Sequence, residues 1–210
     1  MEILEKLFGG SGRVKIMRLF LFNPAHTYDK EDVSKRSQVP LKNTSREIAH
    51  LEKTGLIVRK QFLKDSWSIR GKGADQKKVL RRAKAVGWHL NGEFPYLRPL
   101  ESLLINLATL DHEYFTKKLQ SAGKIKLIII SGIFIQDPAS RVDLLVVGEK
   151  IKKAALDSVI KQIEAEIGKE LRFASFEVPD FMYRISIYDK LVRDILDYPH
   201  KKLLDKMGMR

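Results

Sequence analysis

The segment from residue 42 to residue 53 is rich in side chains that can bond to nucleic-acid bases and phosphates. Lys and Arg donate to guanine O6 and N7 or to phosphate oxygens, and Asn makes a two-bond contact with adenine. Helical spacing predicts that apolar and small residues at every third or fourth position face the core: Leu41, Thr44, Ile48 and Leu51. It then turns the polar set outward, together with Ala49: Lys42, Asn43, Ser45, Arg46, His50 and Lys53. This pattern favours the second helix of a helix-turn-helix, which lies in the DNA major groove.

A run of cations follows this helix. Residues 59–84 contain ten Lys and Arg against two Asp. The edge of a sheet uses a few lysines to prevent aggregation, but it does not need an excess of this size. We therefore expect the segment to lie along the DNA backbone, where it adds affinity without reading sequence. The residues expected to do so are Arg70, Lys72, Lys77, Lys78, Arg81, Arg82 and Lys84.

Three helices and a hairpin are predicted to position these residues. Apolar residues of helical period run from Val14 to Leu21 and stop before Asn23 and Pro24. The second helix begins after Asp29 and ends near Ser37, and the third follows Pro40 and stops at Gly55. Residues 56–63 are strand-like, and residues 86–90 are predicted to form the returning strand.

The charge of the chain is concentrated in its first half. The 210 residues include 39 Lys and Arg against 26 Asp and Glu, a net charge of +13. Residues 1–100 carry 21 of these cations against 10 acids, whereas residues 101–210 carry 18 against 16. Such an asymmetry attracts a polyanion to one half and leaves the other half for different work.

The first half resembles a known family. The runs Arg13-Val-Lys-Ile-Met-Arg-Leu-Phe-Leu-Phe-Asn-Pro24, Asp32-Val-Ser-Lys-Arg36 and Ile48-Ala-His-Leu-Glu-Lys-Thr-Gly-Leu-Ile57 are similar to bacterial or archaeal winged helix-turn-helix transcriptional regulators. The resemblance covers roughly residues 8–90 and implies a double-stranded DNA-binding domain, which we place at residues 1–93. Such regulators commonly dimerise, and a homodimer would match a palindromic site. A linker and a helix over residues 100–119 follow within residues 94–123; this helix is a candidate dimer seam, although core packing explains its apolar residues equally well.

The second half alternates strands and helices. The predicted elements are a strand at 125–130, a strand at 142–147, a helix at 151–167, a strand at 171–178 and a helix at 180–196. This order indicates a small α/β domain at residues 124–210. The fold class predicted for the whole chain is therefore α+β.

This domain also resembles a family. Ile125-Lys-Leu-Ile-Ile-Ile-Ser-Gly-Ile-Phe134, followed by Arg141-Val-Asp-Leu-Leu-Val-Val-Gly148, is similar to the start of a minimal nucleotidyltransferase of the polymerase-beta superfamily. The resemblance implies a Gly-Ser turn that approaches a triphosphate, a pair of acids on the next strand and a third acid later, which together hold magnesium ions.

The chain departs from that pattern at the positions that do the chemistry. Gly132 and Asp143 match it, but Ile133 replaces the serine and Arg141 replaces the first acid. Arginine is not deprotonated in proteins and is not a metal ligand. Glu177 is the remaining candidate for the third acid. We therefore predict a vestigial nucleotide site formed by Gly132, Arg141, Asp143 and Glu177, with no catalytic residue, no cofactor and no metal.

Composition excludes several other classes. The absence of cysteine removes disulfides, zinc–thiolate sites and thiol catalysis, and the five histidines lack metal-ligand spacing. The longest apolar runs fall far short of the roughly 20 residues that a membrane span requires, and Glu2 and Glu5 occupy a region where a signal peptide is basic. A cytoplasmic protein without a membrane segment is predicted.

Three functions are compatible with these features. The first is a sequence-specific DNA-binding regulator whose second domain is a scaffold, a dimeriser or an effector sensor. The second is an active, antitoxin-like nucleotidyltransferase that uses the winged helix for targeting or autoregulation. The third is an RNA-binding factor. A nucleotide effector is also conceivable, because Arg141 near Gly132 could bind phosphate without metal; the alternative is that Arg141 is an ordinary surface residue at the start of a strand.

Overall fold

The computed structural model describes residues 2–70, 77–105, 112–137 and 139–209 and has a mixed α+β fold, as predicted. Its helices are α1 Glu2–Leu7, α2 Ser11–Phe22, α3 Lys30–Ser37, α4 Leu41–Thr54, α5 Leu97–Leu104, α6 His112–Gln120, α7 Lys153–Ile167, α8 Val178–Ser186 and α9 Lys190–Asp197. Its strands are β1 Ile57–Arg70, β2 Lys77–Leu90, β3 Lys124–Ile130, β4 Leu144–Glu149, β5 Phe173–Glu177 and β6 Lys201–Asp205. Within this described part, no helix combines the length and apolar character needed to cross a bilayer.

Helices α2, α3 and α4 share one core and confirm the three helices predicted for the first half. The Asp29 carboxylate caps α3 by accepting a hydrogen bond from the Asp32 backbone N–H at 2.8 Å. Gly55 ends α4 in the left-handed conformation, with φ 81°. The prediction that Leu41 faces the core is wrong: Leu41 is 44% exposed, and the buried apolar side chain at the start of α4 is that of Val39, just before the helix. Glu47 is the charged residue that α4 buries.

The hairpin is longer than expected. Strands β1 and β2 pair over 14 residues each, from Ile57 opposite Leu90 to Arg70 opposite Lys77. The sequence indicated shorter strands because charged residues obscure the alternating pattern, whereas ladder hydrogen bonds are made by the backbone alone. Tyr28 adds a bridge to Trp88 with backbone N···O distances of 2.9 and 2.8 Å, which fixes the base of the hairpin to the segment between α2 and α3.

The second half contains a four-stranded sheet in the order β5-β4-β3-β6. Strand β3 is antiparallel to β4 and β6, and β4 is parallel to β5. Helix α7 contributes to the core on one face of the sheet, and α8 and α9 contribute to the core on the other face. The sequence analysis missed β6, a short and highly charged strand.

Two long helices were predicted wrongly. The helix expected over 180–196 is divided into α8 and α9, because Tyr188 is left-handed, with φ 56°, and Asp189 caps a new helix by accepting from Leu191 and Val192 N–H. The helix expected over 100–119 is interrupted, because α5 ends at Leu104 with Ile105 as its cap; α6 begins at His112, and residues 106–111 lie outside the described part.

The two halves of the chain meet at Gly168, which follows α7 with φ 87°. A Cβ atom there would lie 2.5 Å from the Arg18 carbonyl carbon and 2.6 Å from the Leu19 nitrogen, so the end of α7 touches the backbone of α2. Arg18 is buried and donates to the Leu104 and Glu166 carbonyls at 2.9 and 3.0 Å. Asn23 donates to the Gly168 carbonyl at 2.8 Å. Helix α2 therefore packs firmly against α7.

Candidate nucleic-acid interface and the Gly132 turn

The outward face of α4 carries the polar set that the sequence predicted. All six members are exposed: Lys42, Asn43, Ser45, Arg46, His50 and Lys53. The opposite face buries Thr44, Ile48 and Leu51 in the core. One side of a single anchored helix thus presents amide, hydroxyl, imidazole and cationic groups to solvent.

Glu47 lies between the two faces of α4, and its charge is neutralised internally. Arg13 of α2 donates to its carboxylate at 2.7 Å, while Glu47 is only 7% exposed. Arg46 also approaches this carboxylate, at 3.3 Å, yet its own side chain remains 74% exposed. The ion pair joins α2 to α4 and keeps the acid from opposing the cations on the outward face. Sequence reasoning missed it because the partners are 34 positions apart.

The hairpin does not present its described cations on one face. Side chains of paired strands alternate, so Arg59, Arg82 and Lys84 share one face and Lys60 and Lys64 share the other. Arg82 pairs with Asp65 at 2.8 Å. The described cations of the hairpin therefore do not form the single basic surface that the net charge of residues 59–84 predicted. Of the other predicted contacts, Lys72 and the side chains of Arg70, Lys77, Lys78 and Arg81 lie outside the described part.

Lys64 secures the hairpin to α3. Its ammonium pairs with Asp29 and, at 2.9 Å, with Asp32. Burial alone would lower the pKa of Lys64, but the hydrogen bonds to these acids outweigh burial and raise that pKa. Burial would likewise raise the pKa of Asp29, and its hydrogen bond with Lys64 instead leaves it lowered. Lys64 is thus engaged in holding the fold.

The structure brings Gly132 and Asp143 together. Gly132 turns the chain after β3 with φ 54°, and a Cβ atom there would lie 2.1 Å from Asp143 Oδ1. The Asp143 carboxylate is 1% exposed and accepts four hydrogen bonds. They come from Ile133 N at 3.1 Å and from Arg172 N, Nε and Nη2 at 2.9, 3.1 and 2.9 Å.

These hydrogen bonds fix the Gly132 turn to the segment before β5. We call the arrangement of Asp143, Ile133 and Arg172 the Asp143 bracket. Burial would raise the pKa of Asp143, but the hydrogen bonds from Arg172 and Ile133 outweigh it and lower that pKa. Arg172 is the residue that sequence analysis missed. It precedes β5 just as Asp143 precedes β4, and the parallel pairing of Leu144 with Phe173 sets the two side by side. Only the strand pairing could have revealed this contact.

The other two members of the predicted vestigial site lie elsewhere. Arg141 Nε is 3.1 Å from the carboxylate of Asp194 on α9. Glu177 lies opposite Gly148, four pairs along the ladder from Leu144 and Phe173, which corresponds to about 13 Å. Its carboxylate accepts from the backbone N–H groups of residues 150 and 151 at 3.0 and 2.9 Å. The four residues therefore do not form one site, and the described residues contain no cluster of three His, Asp or Glu able to hold a metal.

A cleft of about 400 Å³ lies between the halves, next to this bracket. Its cationic walls are Arg36 from α3 and Lys169 and Arg172 from the segment after α7. Arg36 pairs with Glu170 across the cleft at 2.7 Å. Arg172 is likewise paired with Asp143 of the same lining at 2.9 Å, so the cleft offers little net positive charge to an anion. The nucleotide effector stays a prediction.

Comparisons with protein-family models, with curated proteins and with solved structures found no match to this chain. Both family resemblances therefore stay predictions. The function has to be inferred from the geometry and charge of α4, the hairpin and the Gly132 turn.

Proposed function

We propose that this chain is a sequence-specific, double-stranded DNA-binding transcriptional regulator that acts as a homodimer. The observation that carries the proposal is the outward face of α4. It gathers Lys42, Asn43 and Arg46 in the N-terminal half of an exposed helix whose other face is fixed in the core. These side chain types bond to the major-groove edges of guanine and adenine.

The surroundings of α4 favour phosphate contacts beside the bases. Strand β1 begins at Ile57, three residues after α4 ends, and its first exposed cations, Arg59 and Lys60, lie on opposite faces of the hairpin, six and seven residues beyond Lys53. Exposed cations in this position suit the DNA backbone, which contributes affinity and register. Lys84 is a further exposed cation on the hairpin.

The second domain is proposed to be a scaffold or sensor without catalysis. The alternative, an active nucleotidyltransferase, needs carboxylates available to metal ions. The Asp143 oxygens instead accept hydrogen bonds from Ile133 and Arg172, and Glu177 lies five residues farther along the ladder, about 16 Å away by strand spacing. An RNA factor is less well supported, since the narrow major groove of A-form RNA does not admit side chains from a helix.

DNA selection followed by a salt series tests the proposal. A site is first selected from a random duplex library, and binding is then measured by fluorescence anisotropy. If Lys42, Lys53, Arg59, Lys60 and Lys84 each neutralise one phosphate, log K should fall with log salt at a slope of about −4.5. Affinity then drops about 500-fold between 50 and 200 mM salt.

Two variants separate base reading from backbone attraction. Arg46→Ala should weaken the selected site about 10- to 100-fold and random duplex DNA much less. The matched control is Lys153→Ala, which removes an exposed cation at the start of α7 and should leave both affinities unchanged. A slope shallower than about −2, or equal affinity for duplex RNA, would refute the proposal.

A transfer assay tests the enzymatic alternative. The full chain is incubated with labelled nucleoside triphosphates, magnesium and candidate protein or RNA acceptors. No label transfer is expected. Label transfer by the wild-type chain would establish the alternative instead.

A further inference from the structure

An exposed apolar patch covers the end of α8 and the turn that follows it. Met182, Tyr183, Ile187 and Tyr188 are 50%, 62%, 53% and 74% exposed. They lie within seven consecutive residues, whereas Phe181 in the same helix is fully buried. Helix α8 therefore uses one side for the core and offers its other side, with the turn, to solvent.

The patch is large enough to form the centre of a protein interface. At about 200 Å² for a large side chain, these four residues expose about 500 Å². That value is near the upper end for the largest patch of a typical monomer, and such patches are often functional. A stable interface buries about 800 Å² per partner, so a polar rim would complete it.

The rim has balanced charge. Arg184 lies 3.2 Å from both Asp180 and Asp189, and Arg193 pairs with Asp197 at 3.2 Å. Residues 178–197 hold four Asp against three Lys and Arg, although the whole chain has a net charge of +13. The excess positive charge lies in residues 1–100, which carry 21 Lys and Arg against 10 Asp and Glu, so two copies repel each other least when their second halves meet. Across a two-fold axis at this patch, the rim of each copy faces the same mixed set of Asp and Arg, so each arginine can face an aspartate of the other copy in addition to its own.

We infer that the α8 patch, defined as Met182, Tyr183, Ile187 and Tyr188, is the surface through which two copies of this chain form a two-fold homodimer. This inference rests on the proposed function, in which a two-fold dimer matches a palindromic DNA site. Helix α8 packs on the second sheet, and no member of the patch belongs to the polar set on α4. The patch therefore does not occupy the face of α4 that is proposed to contact DNA.

The test measures the mass of the full chain by sedimentation without DNA. The wild type should have twice the mass of one chain at micromolar concentration. Tyr188→Asp should weaken dimerisation more than about tenfold, because it places a carboxylate in the apolar centre. Asp tolerates the left-handed backbone at this position better than Tyr does, so the variant should fold. Tyr183→Asp serves as a second variant within the helix.

The matched control is Tyr96→Asp, which alters a tyrosine that is 67% exposed in the first half and should leave the dimer intact. Circular dichroism confirms that each variant is folded. A monomeric wild type, or a Tyr188→Asp protein that dimerises like the control, overturns the inference. A wild type that dimerises and binds the selected DNA while Tyr188→Asp dimerises like the control refutes the α8 patch alone, whereas a dimer that binds no DNA refutes the DNA-binding function alone.

Discussion

Replacing Asp143 by Asn should destabilise the second half of the protein substantially. Asp143 joins three segments, since its carboxylate accepts from Ile133 in the turn after β3 and from both the backbone and the side chain of Arg172 before β5. Asn retains the size of Asp but loses the charge, and its amide group brings hydrogens toward groups that are already donors.

The expected loss of stability follows from the hydrogen bonds that Asp143→Asn removes. A hydrogen bond to a charged group contributes about 1.5–3 kcal/mol. Two backbone N–H groups lose the charged acceptor, although the Asn oxygen can still accept from one of them. The Arg172 side chain is 51% exposed and regains water, so its ion pair adds only about 1 kcal/mol. The expected total is about 3 kcal/mol, or roughly 6–12 °C in the melting temperature of a chain of this length.

Urea unfolding and thermal melting, followed by circular dichroism, measure this effect. The control is Asp197→Asn, which breaks the ion pair with Arg193 on the surface of α9, where both side chains are more than half exposed. It should change stability by less than about 0.5 kcal/mol. An Asp143→Asn protein as stable as this control would show that the bracket does not stabilise the fold.

Three further predictions concern stability and its relation to DNA binding. The lowered pKa of Asp143 means that its stabilisation is complete above the unfolded pKa of about 3.9 and is lost as pH falls through the folded value. Urea unfolding between about pH 6 and pH 3 should therefore show the deficit of Asp143→Asn shrinking below about pH 4; a constant deficit would contradict this. Gly168→Ala and Gly55→Ala both place Ala in a left-handed cap, with φ 87° and 81°, but only the first meets backbone atoms at 2.5 Å. Thermal melts should show a loss of about 1–2 kcal/mol for Gly55→Ala and a clearly larger loss for Gly168→Ala, and equal losses would argue against close packing at Gly168. Lys64→Met should lower stability by about 1 kcal/mol without changing the salt slope of DNA binding, whereas the exposed Lys60→Met should reduce that slope by about 1 and leave stability unchanged. If Lys64→Met instead reduced the salt slope and Lys60→Met reduced stability, Lys64 would be a DNA contact.

Local signals predicted the first half of the fold well. Asp29 before α3 and Gly55 after α4 act on the turn of helix next to them, so their effect is visible in the sequence. The burial of Glu47 depends on Arg13, which is distant in sequence, and could not be read locally. The sequence also did not reveal that the last predicted helix is divided in two, because the division depends on a left-handed conformation of Tyr188 that its residue type disfavours.

In the second half, too, the contacts of Asp143 with residues distant in the sequence could not be predicted. Gly132 and Asp143 were paired through the resemblance to nucleotidyltransferases, and they do lie at neighbouring ends of β3 and β4, which are adjacent in the sequence. The partner of Asp143 depends on β4 and β5 being parallel, and a helix separates those strands in the chain. The register that places Arg172 beside Asp143 also places Glu177 at the other end of the ladder. Residues that match one motif can therefore lie far apart in the folded sheet.

The contact at Gly168 determines where this protein can be divided. A fragment that ends at residue 93 would lack the Leu104 and Glu166 carbonyls that accept from Arg18, together with the α7 terminus that shields the backbone of α2. Helix α2 in turn holds α4 through Arg13 and Glu47. The smallest fragment of the first half that folds on its own is thus expected to extend beyond residue 168, because the second half completes the packing of α2.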